Sequence, residues 1–131
     1  MGMMNDTITV YNKYLASNVE RWKRTVLSGV YWNAVHGAVL RKTGAVSADS
    51  VVVIVPRSLP GYVKPKAWNA LPDKSGSWTV QAGDMIVKGC IATEITRSAA
   101  KELSGYDDVL TVTTVDDKDF GGLAHLEVSG R

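Results

Sequence analysis

At 131 residues the chain has room for one domain spanning 1–131 and little more. Hydrophobic residues make up 45% and charged residues 21%, which is ordinary globular usage and excludes wholesale disorder. Fifteen basic and thirteen acidic residues are interspersed without a basic run, which excludes phosphate contact as the main business and leaves room for non-specific contact with DNA.

No segment approaches the ~18 apolar residues that a membrane-crossing helix needs. The start, Met1 to Asp6, lacks a positive region followed by an apolar stretch, so neither membrane insertion nor secretion is expected. Cys90 is the single cysteine, which rules out an internal disulfide and a zinc site built on cysteines. Between Gly89 and Ile91 it is expected to be a buried packing thiol, suited to a reducing cytoplasm.

Along the chain the prevailing period is two. Asp6 to Tyr11 places Ile8 and Val10 on one face and Thr7 and Thr9 on the other, the pattern of a half-buried strand. Ala16-Ser17-Asn18 supplies a turn, and Trp22 to Val26 reads as a second strand broken at Ser28-Gly29. Val30 to Val35 is a third, favoured by its aromatic and β-branched residues, and Lys42-Thr43-Gly44 makes the next turn. The unbroken apolar run Val51 to Val55 fits a strand buried on both faces, at a subunit interface or in a barrel wall.

Between Pro56 and Gly76 the character changes, because all four prolines fall there. Proline resists both helix interiors and central strands, so an extended loop or projecting arm is expected over 56–76. Tyr62, Lys64, Lys66, Trp68 and Lys74 within it are the candidate partner-contact residues, since aromatic anchors dominate interfaces. Strands resume at Ser77 to Val80 and at Met85 to Gly89, after a turn at Ala82-Gly83-Asp84. One short helix is expected around Arg97 to Leu103, stopped by Gly105. Two last strands, Val109 to Val115 and Leu123 to Val128, are joined by a polar turn over Asp116 to Gly122. The whole is an all-β domain with one short helix, a small barrel or sandwich.

Catalytic chemistry finds little footing. His36 and His125 are far apart in sequence and both sit in expected strands; a Cys–His pair with Cys90 would depend on the fold joining them. Asp116-Asp117-Lys118-Asp119 lacks the alternating ligands and closing glutamate of a calcium loop. Phosphate-cradling glycine fingerprints are absent from the sequence, and Trp22 and Trp32 are expected to pack in the core. No catalytic residue, metal ligand or cofactor is assigned.

Several segments together resemble a known group. Asp6-Thr7-Ile8-Thr9-Val10-Tyr11, then Trp22-Lys23-Arg24-Thr25-Val26-Leu27 and Gly29-Val30-Tyr31-Trp32, are similar to the opening of small head–tail connector proteins of siphophages and Gram-positive prophages. Gly83-Asp84-Met85-Ile86-Val87-Lys88-Gly89 matches a "G-D-x-I-V-x-G" element of that group. Leu110 to Asp117 and His125-Leu126-Glu127-Val128 resemble its closing strands. The resemblance implies a stopper-type protein of the virion neck, assembled in the host cytoplasm as a homo-oligomeric ring. Its implied partners are portal and adaptor proteins and the tail terminator or tail tube, with DNA retained behind the ring. The group brings no catalytic residues or cofactors. A tail terminator is the structural alternative, and a ligand-binding or hydrolytic β-barrel using His36, His125 and Cys90 is the alternative from another class.

Overall fold

A computed structural model of the chain describes residues 5–35, 50–95, 99–103, 105–106, 108–120 and 123–130. Six strands form it: β1 (Asp6–Ala16), β2 (Val19–Val35), β3 (Ser50–Pro56), β4 (Met85–Lys88), β5 (Val109–Phe120) and β6 (Leu123–Gly130). Two short helices, α1 (Pro65–Ala70) and α2 (Ala99–Glu102), lie in the connections. Every strand pair is antiparallel, and the order β1-β2-β3-β6-β5-β4 closes on itself through β1 and β4. Of the two expected architectures, the barrel is the one formed. Closure pairs every strand on both sides and so removes the sheet edges that an open sandwich would leave.

The alternation seen in the sequence builds the interior. Ile8 and Val10 of β1, Val53 and Val55 of β3, and Leu126 and Val128 of β6 point inward with Leu27, Val30, Trp32 and Ile86. Trp78 and Val80 enter the same cluster from outside the named strands. A second, smaller cluster of Tyr11, Val87, Ile95 and Leu103 lies on the opposite face of β1 and β4, under the β4–β5 connection. Trp32 is in the core as expected, whereas Trp22 stays half-buried against the second cluster.

Several expectations are corrected. The expected break at Ser28-Gly29 is a bend inside one 17-residue strand. Asp6 pairs with Val30 and Thr7 with Ser28, so Gly29 is the extra residue of a bulge, at φ 87°. There β2 leaves β1 and turns to β3, with Trp32 N–H donating to Asp6 Oδ2 at 2.9 Å. Val51 to Val55 alternates instead of burying both faces: Val53 and Val55 are enclosed, while Val52 and Ile54 are half-buried outside. Ser77 to Val80 forms no ladder strand, only an isolated parallel bridge between Tyr62 and Trp78. Asp116 to Phe120 continues β5 and pairs through to Leu123, because cross-strand pairing with β6 outweighs the polar character of those side chains.

The proline-rich stretch is also no projecting arm. Pro65 stands in the first turn of α1, where its missing N–H costs nothing, and Trp68 of that helix is wholly buried. The chain returns through Val63 N–H to the Trp78 carbonyl and Trp78 N–H to the Gly61 carbonyl, both at 2.9 Å. Trp78 Nε1–H donates to the Pro60 carbonyl at 2.9 Å. Gly61, at φ 93°, has its missing side chain where a Cβ would meet the Gly76 carbonyl.

Cys90 is exposed. The Thr9 hydroxyl donates to the Gly89 carbonyl at 2.7 Å and accepts from Ile91 N–H at 3.1 Å, so one side chain pins both flanks and Cys90 forms the crest between them. The expected helix over Arg97 to Leu103 is seen as α2; Arg97 and Ser98, like His36 and Lys42-Thr43-Gly44, lie outside the described residues. Among the described residues no helix is long and apolar enough to cross a membrane.

Candidate functional site

Among the described residues, the β1–β2 hairpin extends beyond the strands that close the barrel. β1 pairs with β4 through Ile8–Tyr11, and β2 meets β3 from Tyr31 onward. Between those limits the two strands pair with each other, from Tyr11 opposite Arg24 to Ala16 opposite Val19. Ser17 and Asn18 make the turn, both in the left-handed region at φ 53° and 65°, as a tight two-residue hairpin requires. Leu15 is 72% exposed and Val19 51%, the large hydrophobic side chains left uncovered among the described residues.

The register puts these two on different faces. Leu15 shares its side with Glu20, Lys13 and Trp22; Val19 shares the other with Ala16, Tyr14 and Arg21. An apolar tip with both faces bare is unlike the half-buried strands below it, where one face packs and the other meets water.

What holds the hairpin is a buried polar hub at its base. Asp84 is 1% exposed and accepts from Asn12 Nδ2 at 2.8 Å, Lys13 N–H at 2.9 Å and Gln81 N–H at 2.9 Å. Asn12 also donates to the Thr79 carbonyl at 2.7 Å and accepts from Thr79 N–H at 3.3 Å. Burial pushes the Asp84 carboxyl up to about 6, against the pull of those donors and Lys13. One carboxylate and one amide thus join β1 to the segment that carries Trp78.

Between hairpin and proline-rich stretch lies a cleft of about 610 Å³, bordered by Tyr14, Lys23, Leu71 and Lys74. Tyr14 meets Trp68 edge-on at 5.9 Å between ring centres. Lys74 Nζ stands 5.2 Å from the Tyr14 ring and 5.1 Å from the Trp68 ring, and donates to the Leu71 carbonyl at 2.8 Å. Burial lowers the pKa of Lys23 at the same cleft.

A separate groove of about 470 Å³ opens on the other side of the proline-rich stretch. Tyr62, Pro65, Val80, Val115 and Leu126 form its apolar lining, with Asp116 and Asp117 on its rim. Tyr62 lies 5.1 Å from Trp78, and burial, helped by the nearby Asp117 charge, raises its pKa. Asp117 Oδ1 faces Arg57 Nε at 3.2 Å.

The five residues expected at a partner contact are therefore divided. Tyr62 and Lys64 border the groove, Lys74 borders the cleft, Lys66 is exposed on α1, and Trp68 points inward, wholly buried by its own chain. Sequence reasoning missed Leu15 and Val19, although a Ser-Asn turn between two large apolar residues was readable. It also missed Asp84 as a hub, because nothing local distinguishes it from an exposed turn aspartate. His125 is half-buried with Nε2 3.4 Å from Glu127 Oε2. Among the described residues no group of three or more His, Cys, Asp or Glu side chains is placed to hold a metal ion.

A family model described as a family of unknown function (DUF6751) matches residues 3–131, so the chain belongs to that family. No curated protein and no solved structure matches.

Proposed function

We propose that this member of DUF6751 is a non-catalytic assembly subunit of a phage neck, of the stopper type that joins a DNA-filled head to its tail. The observation that carries the reading is the uncovered apolar hairpin tip on a barrel whose described interior is filled by its own side chains. Among the described residues the barrel interior is packed with its own buried side chains, while Leu15 and Val19 stand in water at the hairpin tip, where a neighbouring subunit would cover them. The sequence resemblance to head–tail connectors supports the finer assignment to the neck. Its ring partners would be further copies of itself, with portal or adaptor on one side and tail terminator or tube on the other.

Deleting the gene tests it. A stopper mutant yields tailless, DNA-leaking heads beside finished tails; overlong tails would move the assignment to a terminator, and unchanged virions would end the neck reading. Replacing His36, His125 and Cys90 together by alanine should leave virion assembly intact. Loss of a substrate turnover in that triple variant would sink the non-catalytic reading.

A further inference from the structure

We infer that Asp84 is a proton-operated latch for the β1–β2 hairpin: ionised, it holds the Lys13 N–H, and protonated, it lets that bond go. The latch sets how the hairpin is anchored to the barrel, whatever role the chain has in a virion.

The register shows what the side chain replaces. β1 and β4 pair from Ile8 opposite Lys88 to Tyr11 opposite Met85, and the ladder stops there. One step further on the Asp84 carboxyl takes over, its Oδ1 accepting from Lys13 N–H at 2.9 Å where a backbone carbonyl would come next. Past Lys13, β1 pairs with β2 alone. Asp84 is itself fixed from the far side. Its N–H donates to the Gln81 carbonyl at 3.0 Å, and its carbonyl accepts from Val112 N–H at 2.8 Å.

The two carboxyl oxygens are not equivalent. Among the described residues, Oδ2 accepts two bonds, from Asn12 Nδ2 at 2.8 Å and from Gln81 N–H at 2.9 Å. Oδ1 accepts the bond from Lys13 alone. A proton on Oδ2 would displace two donors, and a proton on Oδ1 displaces one. Oδ1 is therefore where the proton goes, and the bond it breaks is the one to the hairpin. Asn12 is not free to compensate, because the Thr79 carbonyl and N–H hold both ends of its amide.

Burial brings this exchange near neutral pH. Asp84 is 1% exposed and its three hydrogen-bond donors are uncharged. The ammonium that faces it is that of Lys13, which lies over the Gly83 turn. Lys23, across from Asn12 on β2, is in the field of Glu94. Residues 77–83, Met85 and the β5 stretch over 110–114 carry no acidic, basic or histidine side chain. Lost hydration outweighs Lys13 and the donors together, so the carboxyl titrates at about 6. The latch is closed above that pH and open below it. Acid thus relieves a buried charge, which stabilises the fold as a whole, while it loosens the hairpin at its base.

The test follows backbone amides of the full, isotope-labelled chain by NMR across this range. Lys13 N–H should shift with a midpoint at about 6. Its protection against hydrogen exchange, corrected for the intrinsic pH dependence, should fall about tenfold from pH 7 to pH 5. Gln81 N–H, held by Oδ2, and Val112 N–H, held by the Asp84 backbone carbonyl, should keep theirs. In Asp84→Asn the pH dependence at Lys13 should vanish.

Equal Lys13 protection at both pH values would overturn the latch. So would equal losses at Lys13, Gln81 and Val112, which report general loosening instead of one broken bond. A Lys13 midpoint that survives in Asp84→Asn would assign the titration to another group, with the same consequence. The wild-type profile decides the first two outcomes by itself, so the test stands even where Asp84→Asn fails to fold.

Discussion

Two halves of the same strand behave differently. In the lower half of β1, Ile8, Val10 and Tyr11 are wholly buried between the barrel interior and the second cluster. Four residues further on, Leu15 is largely in water although its backbone pairing with β2 is unbroken. Backbone hydrogen bonding is thus common to both halves, and what separates them is whether a second layer covers the side chains. Stability should concentrate in the covered half, and binding in the bare one.

The widest gap should appear between a core tryptophan and the tip. Trp78→Ala empties a buried site in the main core and should lower unfolding free energy by about 3–5 kcal/mol. Leu15→Ser should change it by less than about 0.5 kcal/mol. Urea denaturation of the two variants checks both, and similar losses would erase the distinction between the halves.

Next is the seam between β5 and β6 at Gly130. A methyl group at Gly130 would collide with the Thr111 carbonyl and Leu110 Cδ1, so Gly130→Ala should cost about 1–3 kcal/mol in the same assay. A neutral result would mean that β5 and β6 can separate at their ends without loss.

At the joint between the halves, acidity should matter. Asp84 titrates at about 6 in the folded chain against an ordinary 3.8, so the fold binds its proton more tightly than the unfolded chain does. Its contribution therefore grows as pH falls through 6 and is complete below the ordinary value. Between pH 7 and 5 this amounts to about 1 kcal/mol of added stability. The difference between wild type and Asp84→Asn, measured by denaturation across that range, should carry this slope; a flat or opposite difference would contradict the buried hub.

The smallest effect belongs to the turn. Ser17 stands at φ 53°, a conformation that glycine adopts with less strain, so Ser17→Gly should stabilise the chain by about 0.5 kcal/mol. Thermal melts resolve a change of that size, and a drop in melting temperature would show that the turn side chain has a role of its own.

The strands were largely legible because alternation encodes one covered and one wet face, as in Ile8, Val10, Leu126 and Val128. The hairpin turn at Ser17-Asn18 was legible for its residue types. The unity of β2 was not, since Gly29 reads equally as a strand end or as a bulge, and partners from β1 and β3 decide between them. The proline-rich stretch was legible as a long connection between strands, but not in how it packs. Proline forbids central strands, but it fits a helix start, and the long-range bridge between Tyr62 and Trp78 folds the stretch onto the barrel.

Sequence alone determined the class of architecture, because period-two patterning and turn residues act between near neighbours. It also determined that one cysteine forms no internal disulfide. Tertiary structure decided closure into a barrel, the burial of Trp68 and Asp84, the exposure of Cys90, and the extension of the β1–β2 hairpin beyond the closed strands. Each of those depends on which distant segment comes to lie alongside, through contacts such as Asn12 with Thr79 and Thr9 with Gly89. Local preference cannot specify such contacts, since their free energy arises only once the chain has brought both partners together.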